Sequence, residues 1–140
     1  IGEKGNAYND IKKKIKKLNL SKIIKIKKFK QSSNFIKMLA NSYLVLLLSK
    51  KEPFGVIALE TIFLKKNFLI SRSTGFKDII GNLKTRNIVK NYDNKNEIYK
   101  KILDIYKKPL TINEKNKFYI RITKNFESKI VFNQWLKIFK

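Results

Sequence analysis

Two glutamates on either side of a glycine loop are the residues of this sequence best suited to chemistry. Glu52 lies in a short segment with Pro53 and Gly55, and Glu60 follows eight residues after it in a helical pattern. A helix that begins near Gly55 presents free backbone N–H groups and the positive end of its dipole, which suit a diphosphate. Carboxylates repel phosphate but accept hydrogen bonds from sugar hydroxyls. The pattern therefore predicts phosphate on the backbone and sugar hydroxyls on Glu52 and Glu60.

The residues alone leave two other interpretations of this carboxylate pair open. The acid and base of a glycoside hydrolase lie roughly 5–9.5 Å apart, whereas a continuous helix between Glu52 and Glu60 would separate them by about 12 Å. Pro53 and Gly55 interrupt such a helix, so spacing does not exclude a hydrolase. The third interpretation is that both glutamates are solvated surface carboxylates.

The elements that must position this segment alternate between helices and strands. Helical periodicity predicts helices at residues 6–20, 33–40 and 55–65, and from Asp93 onward with a break near Pro109. Apolar and β-branched runs predict strands at residues 23–29, 43–48, 67–71 and 87–92. This order predicts an α/β fold: a Rossmann-like parallel sheet flanked by helices, with a helical C-terminal segment.

Ligands bind such a sheet beyond the carboxyl ends of its strands. The rule selects three loops, at residues 2–5, 49–55 and 71–75. Gly2, Gly5 and Gly75 in these loops are candidates for ligand contact as well as for ordinary turns. The spacing of Gly2 and Gly5 does not match a dinucleotide-binding fingerprint.

Composition excludes several kinds of site. The sequence contains no Cys and no His, so this chain supplies no disulfide, thiolate nucleophile, histidine base or histidine-ligated metal. Its 43% apolar content predicts a packed domain. The longest apolar run, residues 43–48, is far short of the about 20 residues that span a bilayer.

The net charge of +23 has three interpretations. Arg72, Arg86 and Arg121 are the only arginines among the 33 basic residues, so 30 are lysines. Abundant Lys, Asn and Ile are typical of compositional drift in an AT-rich genome. The alternatives are attraction to an anionic membrane surface and binding of nucleic acid. Because the lysines are spread over every segment, the sequence favours drift.

The segment Ser49-x-x-Glu52-x-Phe54-Gly55, followed by Glu60, resembles the Glu-x7-Glu signature of the group 1, family 4 retaining glycosyltransferases with the GT-B fold. The resemblance covers nearly the whole chain. The turn at residues 2–5 is similar to the family's Gly-x-Gly turn, residues 35–42 to the helix before a buried strand, and residues 74–80 to its later glycine turn. Residues 126–139, with Trp135, resemble the closing helix that crosses back to the other domain.

The resemblance implies a role for each motif residue. It implies that Glu60 binds the ribose hydroxyls and that Glu52, the catalytic candidate, contacts the transferred sugar. Sugar and phosphate contacts are implied for Phe54, Gly55 and Val56, and the donor cleft would be lined by Gly2, Gly5 and Gly75. The implied reaction transfers a hexose from a nucleotide sugar, most often a UDP-sugar, with retention. It requires no metal or other cofactor, and its acceptor is a surface glycan or a lipid-linked saccharide.

Further expectations concern the extent of the domain and its location. The chain opens at Ile1 without Met, which predicts an upstream acceptor domain. Residues 1–125 are expected to form the nucleotide-sugar-binding domain and residues 126–140 the crossing helix. The resemblance implies a cytoplasmic protein, peripheral at the inner membrane face. The alternatives are a non-catalytic basic module that binds nucleic acid or anionic lipid, and an inactive family member.

One departure from the family pattern follows Glu60. Where the family usually has Gly-x-Pro-Val, this sequence has Lys65-Lys66-Asn67-Phe68. The change is consistent with altered helix-end chemistry, and it leaves open a lower activity or an unusual donor.

Overall fold

Helices and strands alternate in the computed structural model, which describes residues 7–27, 33–53, 55–73, 75 and 85–126. The chain divides into two units, Ile1–Lys37 and Met38–Lys140. The first contains α1 (Tyr8–Lys17), and α2 (Ser33–Ala40) runs across the division. The second contains, in chain order, β1 (Leu44–Leu47), α3 (Val56–Phe63), β2 (Asn67–Ser71), a 3-10 turn (Thr85–Asn87), β3 (Ile88–Val89), α4 (Lys95–Lys107) and α5 (Ile112–Phe126).

The three strands form one parallel sheet with β2 in the centre. Val45 of β1 lies opposite Phe68, and Ile70 lies opposite Ile88 of β3. All five residues of β2 are buried, as expected for a strand covered on both faces. The predicted α/β fold with a Rossmann-like parallel sheet is therefore confirmed, and β2 has the predicted bounds.

Alternate residues of β2 point into two separate cores. Phe68 and Ile70 pack with Ala58 and Ile62 of α3 and with Ile122 of α5. Leu69 packs on the opposite face, in a cluster with Val89 of β3 and Ile105 of α4. This alternation follows from the two-residue period of a strand. The sheet is thus enclosed between α3 and α5 on one side and α4 on the other.

Asparagine side chains fasten the amino end of the sheet. Asn67 donates from Nδ2 to the Tyr43 carbonyl at 3.0 Å and accepts from the Leu110 N–H at 3.0 Å. Asn87 donates to the Phe68 carbonyl at 2.8 Å. Both asparagines are buried, so these bonds satisfy groups that would otherwise lose their hydration. They tie the loop before α5 and the turn before β3 to the central strand.

Two predicted elements differ in the structure. Residues 23–27 of the predicted strand at 23–29 form no strand: Ile23 and Ile24 donate to the Leu20 carbonyl in a turn, and no described strand pairs with them. Residues 28 and 29 lie outside the described residues. An alternating pattern supplies β propensity, but a single strand is not stable without a partner.

The predicted helix at residues 6–20 is shorter, because α1 ends at Lys17. Asn19 adopts a left-handed conformation with φ 54°, and the Leu20 N–H bonds to the Ile15 carbonyl. Asn is one of the few residues that tolerate this conformation at a helix end.

A side-chain cap defines the start of α4. The N-cap residue Asn94 accepts a hydrogen bond from the Glu97 N–H at 3.0 Å. Glu97 in turn accepts from the backbone N–H groups of Lys90 at 2.8 Å and Asn91 at 3.2 Å. The hydrogen bond from Lys90 is the main cause that holds the pKa of Glu97 below its usual value of 4.5. The Asn91 bond and the positive charges of Lys101 and Lys90 lower this pKa further. The ionised carboxylate therefore stabilises the turn between β3 and α4.

Replacing Glu97 by Gln should destabilise the chain in a pH-dependent way. Because folding lowers the pKa of Glu97, its stabilisation is present above the unfolded value of 4.5 and is lost as the pH falls through the lower folded value. We expect the variant to lose roughly 0.5–1 kcal/mol of unfolding free energy near pH 7. Urea unfolding at about pH 7 and about pH 3 should show this difference shrinking in acid. Asp104→Asn, an exposed change on the same helix, is the control; a pH-independent difference for Glu97→Gln would contradict the account.

Candidate donor site

The site begins where β1 and β2 end side by side. Ser71, the last residue of β2, donates from its hydroxyl to the Ser49 carbonyl just beyond β1 at 2.7 Å. The hydroxyl of Ser73 donates to the same carbonyl at 2.7 Å. A carbonyl oxygen has two lone pairs and can accept both bonds. The loop that leaves β1 is therefore joined to the end of β2 and to the loop that follows it.

The loop between β1 and α3 is closed by the first predicted glutamate. The Gly55 N–H donates to Oε1 of Glu52 at 3.0 Å, and Glu52 is half-buried. Gly55 is buried and left-handed, with φ 81° and ψ 59°. A residue with a Cβ is strained in that conformation, which explains the requirement for glycine. One oxygen of Glu52 thus braces the loop, and the other has no partner among the described residues.

Gly75 packs directly on this loop. Its N–H donates to the Glu52 carbonyl at 3.0 Å. A Cβ added at position 75 would overlap the Pro53 carbonyl oxygen. Glycine is therefore required here by close backbone approach, and the structure brings together the predicted residues Glu52, Gly55 and Gly75.

The start of α3 leaves backbone donors open. Ala58 and Leu59 both donate to the Gly55 carbonyl, at 2.8 and 3.3 Å. No side chain caps the helix, and no described residue accepts from the N–H groups of Val56 and Ile57. Val56 is 59% exposed, so this end of the helix faces solvent. Open N–H groups at the positive end of a helix dipole are suited to an anion.

Glu60, the second predicted glutamate, lies one turn further along α3. It is half-buried, and its carboxylate makes no hydrogen bond or ion pair with any described residue. It shares a helix face with Val56 and Ile57, four and three residues before it, and helical side chains tilt toward the N-terminus. Its Cα lies about 6 Å along the axis from that of Val56. The Glu60 carboxylate and the open helix start are therefore on one side of α3.

The departure after Glu60 affects only the far end of α3. Lys65 takes the left-handed conformation, with φ 53°, and the Lys66 N–H bonds to the Thr61 carbonyl at 3.0 Å. Glycine usually occupies such a position, because a side chain costs roughly 1 kcal/mol there. The Lys65 ammonium lies 5.1 Å from the centre of the Tyr119 ring, a cation–π contact that offsets part of this cost. The lysine changes how α3 ends and not how it starts.

Other surroundings of the site are basic and open. Lys50, Lys51 and Arg72 are exposed in the two loops. In the described part of the chain, no group of three or more Asp or Glu residues is placed to hold a metal ion.

A groove of about 650 Å³ lies elsewhere, in the first unit between α1 and residues 21–26. None of the predicted site residues lines it, so its size does not make it the site.

The three remaining predicted residues, Gly2, Gly5 and Phe54, lie outside the described residues, as does the predicted closing helix beyond Phe126. Sequence reasoning selected the loop at 71–75 but missed the individual roles of Ser71 and Ser73. Their position at the carboxyl end of β2 was the available signal, since such residues lie at the ligand-binding edge of the sheet.

Comparison with protein-family models matches residues 1–126 to the family described as glycosyl transferases group 1. The chain belongs to this family. A comparison with curated proteins found no match. The family match covers nine-tenths of the chain, including Glu52, the start of α3 and Glu60. This domain therefore belongs to a family of transferases, which decides against the hydrolase interpretation of the two glutamates.

Proposed function

We propose that this glycosyltransferase domain supplies the donor site of a retaining, family 4 enzyme. The enzyme transfers a hexose from a UDP-sugar to a growing surface glycan or a lipid-linked saccharide. The observation that carries the proposal is the open start of α3, with the free Val56 and Ile57 N–H groups beside Glu52 and Glu60. An anion site bordered by two carboxylates matches a ligand with a diphosphate and hydroxyl-rich groups on both sides.

Each group has a role that follows from its chemistry. The diphosphate lies at the N–H groups that follow Gly55, where the helix dipole favours negative charge. Glu60, without a described partner, accepts hydrogen bonds from the ribose hydroxyls. Glu52 presents its remaining oxygen to the transferred hexose, while its other oxygen holds Gly55. Phe54 and Val56 complete the contacts to sugar and phosphate.

The reaction depends on stabilising the leaving group. The bond between the anomeric carbon and the diphosphate oxygen breaks, and the acceptor oxygen bonds to that carbon on the same face. The proton of the acceptor passes to the departing diphosphate. Negative charge grows on the diphosphate as the bond breaks, and preorganised N–H groups stabilise it at little cost in reorganisation.

Thermal unfolding with a panel of nucleotide sugars tests the donor site. A ligand at ten times its Kd should add about 1.4 kcal/mol, which raises Tm by roughly 3–5 °C for a domain of this size. Glu60→Gln should weaken binding roughly 10- to 100-fold, because it removes charge-assisted hydrogen bonds. Most of the Tm shift should then disappear.

Asp104→Asn removes the same charge from an exposed position on α4 and should keep the full shift. Equal loss in both variants would mean that the loss of binding does not come from the Glu60 carboxylate, which would contradict the proposal. The proposal fails if no nucleotide sugar shifts Tm. It also fails if nucleic acid or anionic lipid gives a salt-sensitive shift that survives Glu60→Gln, which is the behaviour of a basic binding module.

We also propose that the enzyme associates peripherally with an anionic membrane, at the cytoplasmic face, through α1. The five lysines of this helix, Lys12, Lys13, Lys14, Lys16 and Lys17, are all exposed. Ile11 and Leu18 are half-exposed, so apolar groups lie among the charges. Such a surface suits binding to anionic headgroups. No helix in the described ranges is long and apolar enough to cross a bilayer.

Sedimentation with lipid vesicles tests the α1 surface. Vesicles that contain phosphatidylglycerol should bind the chain at low salt, and phosphatidylcholine vesicles should not. Replacing Lys12, Lys13 and Lys16 by Gln should weaken binding by about 100-fold, at about 1 kcal/mol for each lysine. The matched control replaces three other lysines by Gln: Lys100, Lys107 and Lys117, which are exposed on α4 and α5. If the control loses as much binding, the assignment to α1 is wrong.

A further inference from the structure

The segment from Ser71 to Gly75 holds the loop of Glu52 at two points. At the first, the hydroxyls of Ser71 and Ser73 each donate to the Ser49 carbonyl at 2.7 Å. At the second, the Gly75 N–H donates to the Glu52 carbonyl at 3.0 Å. These contacts lie on either side of the two lysines that precede Glu52. The loop is therefore fixed both where it leaves β1 and at the glutamate itself.

Ser71 and Ser73 differ in what they contribute to stability. Ser71 is 1% exposed, so its hydroxyl must find a partner within the protein. Ser73 is exposed, and its hydroxyl could bond to water at little cost. The Ser73 bond to Ser49 therefore adds little to the unfolding free energy. It does tie the loop of Glu52 to the segment that follows β2.

Gly75 restricts the loop further along, at Glu52 and Pro53. The absence of a Cβ lets its backbone approach the Pro53 carbonyl more closely than any other residue could. With the Glu52 main chain held by Gly75 and Oε1 held by the Gly55 N–H at 3.0 Å, the second carboxylate oxygen is the group left to meet a ligand. Its direction is set by residues that do not themselves touch that oxygen.

We propose that Ser73 and Gly75 are positioning residues that aim the free oxygen of Glu52 at the transferred sugar. This inference rests on the proposed function, in which Glu52 contacts the sugar and Glu60 the ribose. Ser73 and Gly75 therefore affect recognition of the hexose and leave recognition of the nucleoside diphosphate unchanged, whereas a general loss of stability would weaken recognition of both.

The test compares the Kd of UDP with that of UDP-glucose, by calorimetry, for each form of the chain. In the wild type the sugar conjugate should bind more tightly than UDP. Ser73→Ala and Gly75→Ala should each reduce that preference about threefold to tenfold, the effect of one misaligned hydrogen bond, while the Kd of UDP stays the same. Ser73→Thr keeps the hydroxyl and should restore the preference.

Glu52→Gln provides the reference, because this variant should also reduce the preference for UDP-glucose over UDP. Adding Ser73→Ala to Glu52→Gln should reduce that preference no further. Gly75→Ala carries the risk of misfolding, so Ser73→Ala and its Thr rescue decide the question alone. The inference is overturned if Ser73→Ala weakens UDP and UDP-glucose equally, or if it changes neither. A wild-type chain that binds neither ligand would refute the donor site itself, which is a separate failure.

Discussion

The burial of β2 is the constraint on which the second unit depends. Its five residues are enclosed between two helical layers, with Phe68 and Ile70 in one core and Leu69 in the other. A strand buried this deeply must satisfy polar groups at its ends as well as along its ladder. Asn67 and Ser71, its first and last residues, do so with side-chain hydrogen bonds to neighbouring segments.

Side chains make different kinds of hydrogen bonds at the two ends of the sheet. At the amino end, Asn67 and Asn87 bond to backbone groups of adjoining segments, and both asparagines are buried. At the carboxyl end, serine hydroxyls and the Gly75 N–H hold a loop, while the N–H groups of Val56 and Ile57 stay open. The first arrangement stabilises the fold. The second ties the loop of Glu52 to the segment after β2 and leaves those two N–H groups without a partner among the described residues.

Sequence patterns predicted the fold where burial and periodicity agree. The fully buried β2 has its predicted bounds, and the break near Pro109 separates α4 from α5. Prediction was wrong at residues 23–27, because alternation reports propensity and not the presence of a partner strand. It also overextended α1, since the pattern does not show that Asn19 turns left-handed.

The candidate site was predicted in composition but not in geometry. The Glu52, Gly55 and Glu60 pattern selected a segment that the family match covers. The structure adds that one oxygen of Glu52 accepts from the Gly55 N–H. It also adds that Gly75 contacts the same loop, although Gly75 and Glu52 are more than twenty positions apart in the chain. Such contacts have no local signal in one sequence.

The central claim is that the start of α3 binds the diphosphate of a nucleotide sugar. The most direct measurement follows backbone amide chemical shifts of the chain during titration with a UDP-sugar. The largest changes should occur at Gly55, Val56 and Ile57, with smaller ones at Gly75. Saturating changes confined to α1 and residues 21–26, with residues 55–57 unaffected, would place the anion in the groove of the first unit and contradict the account.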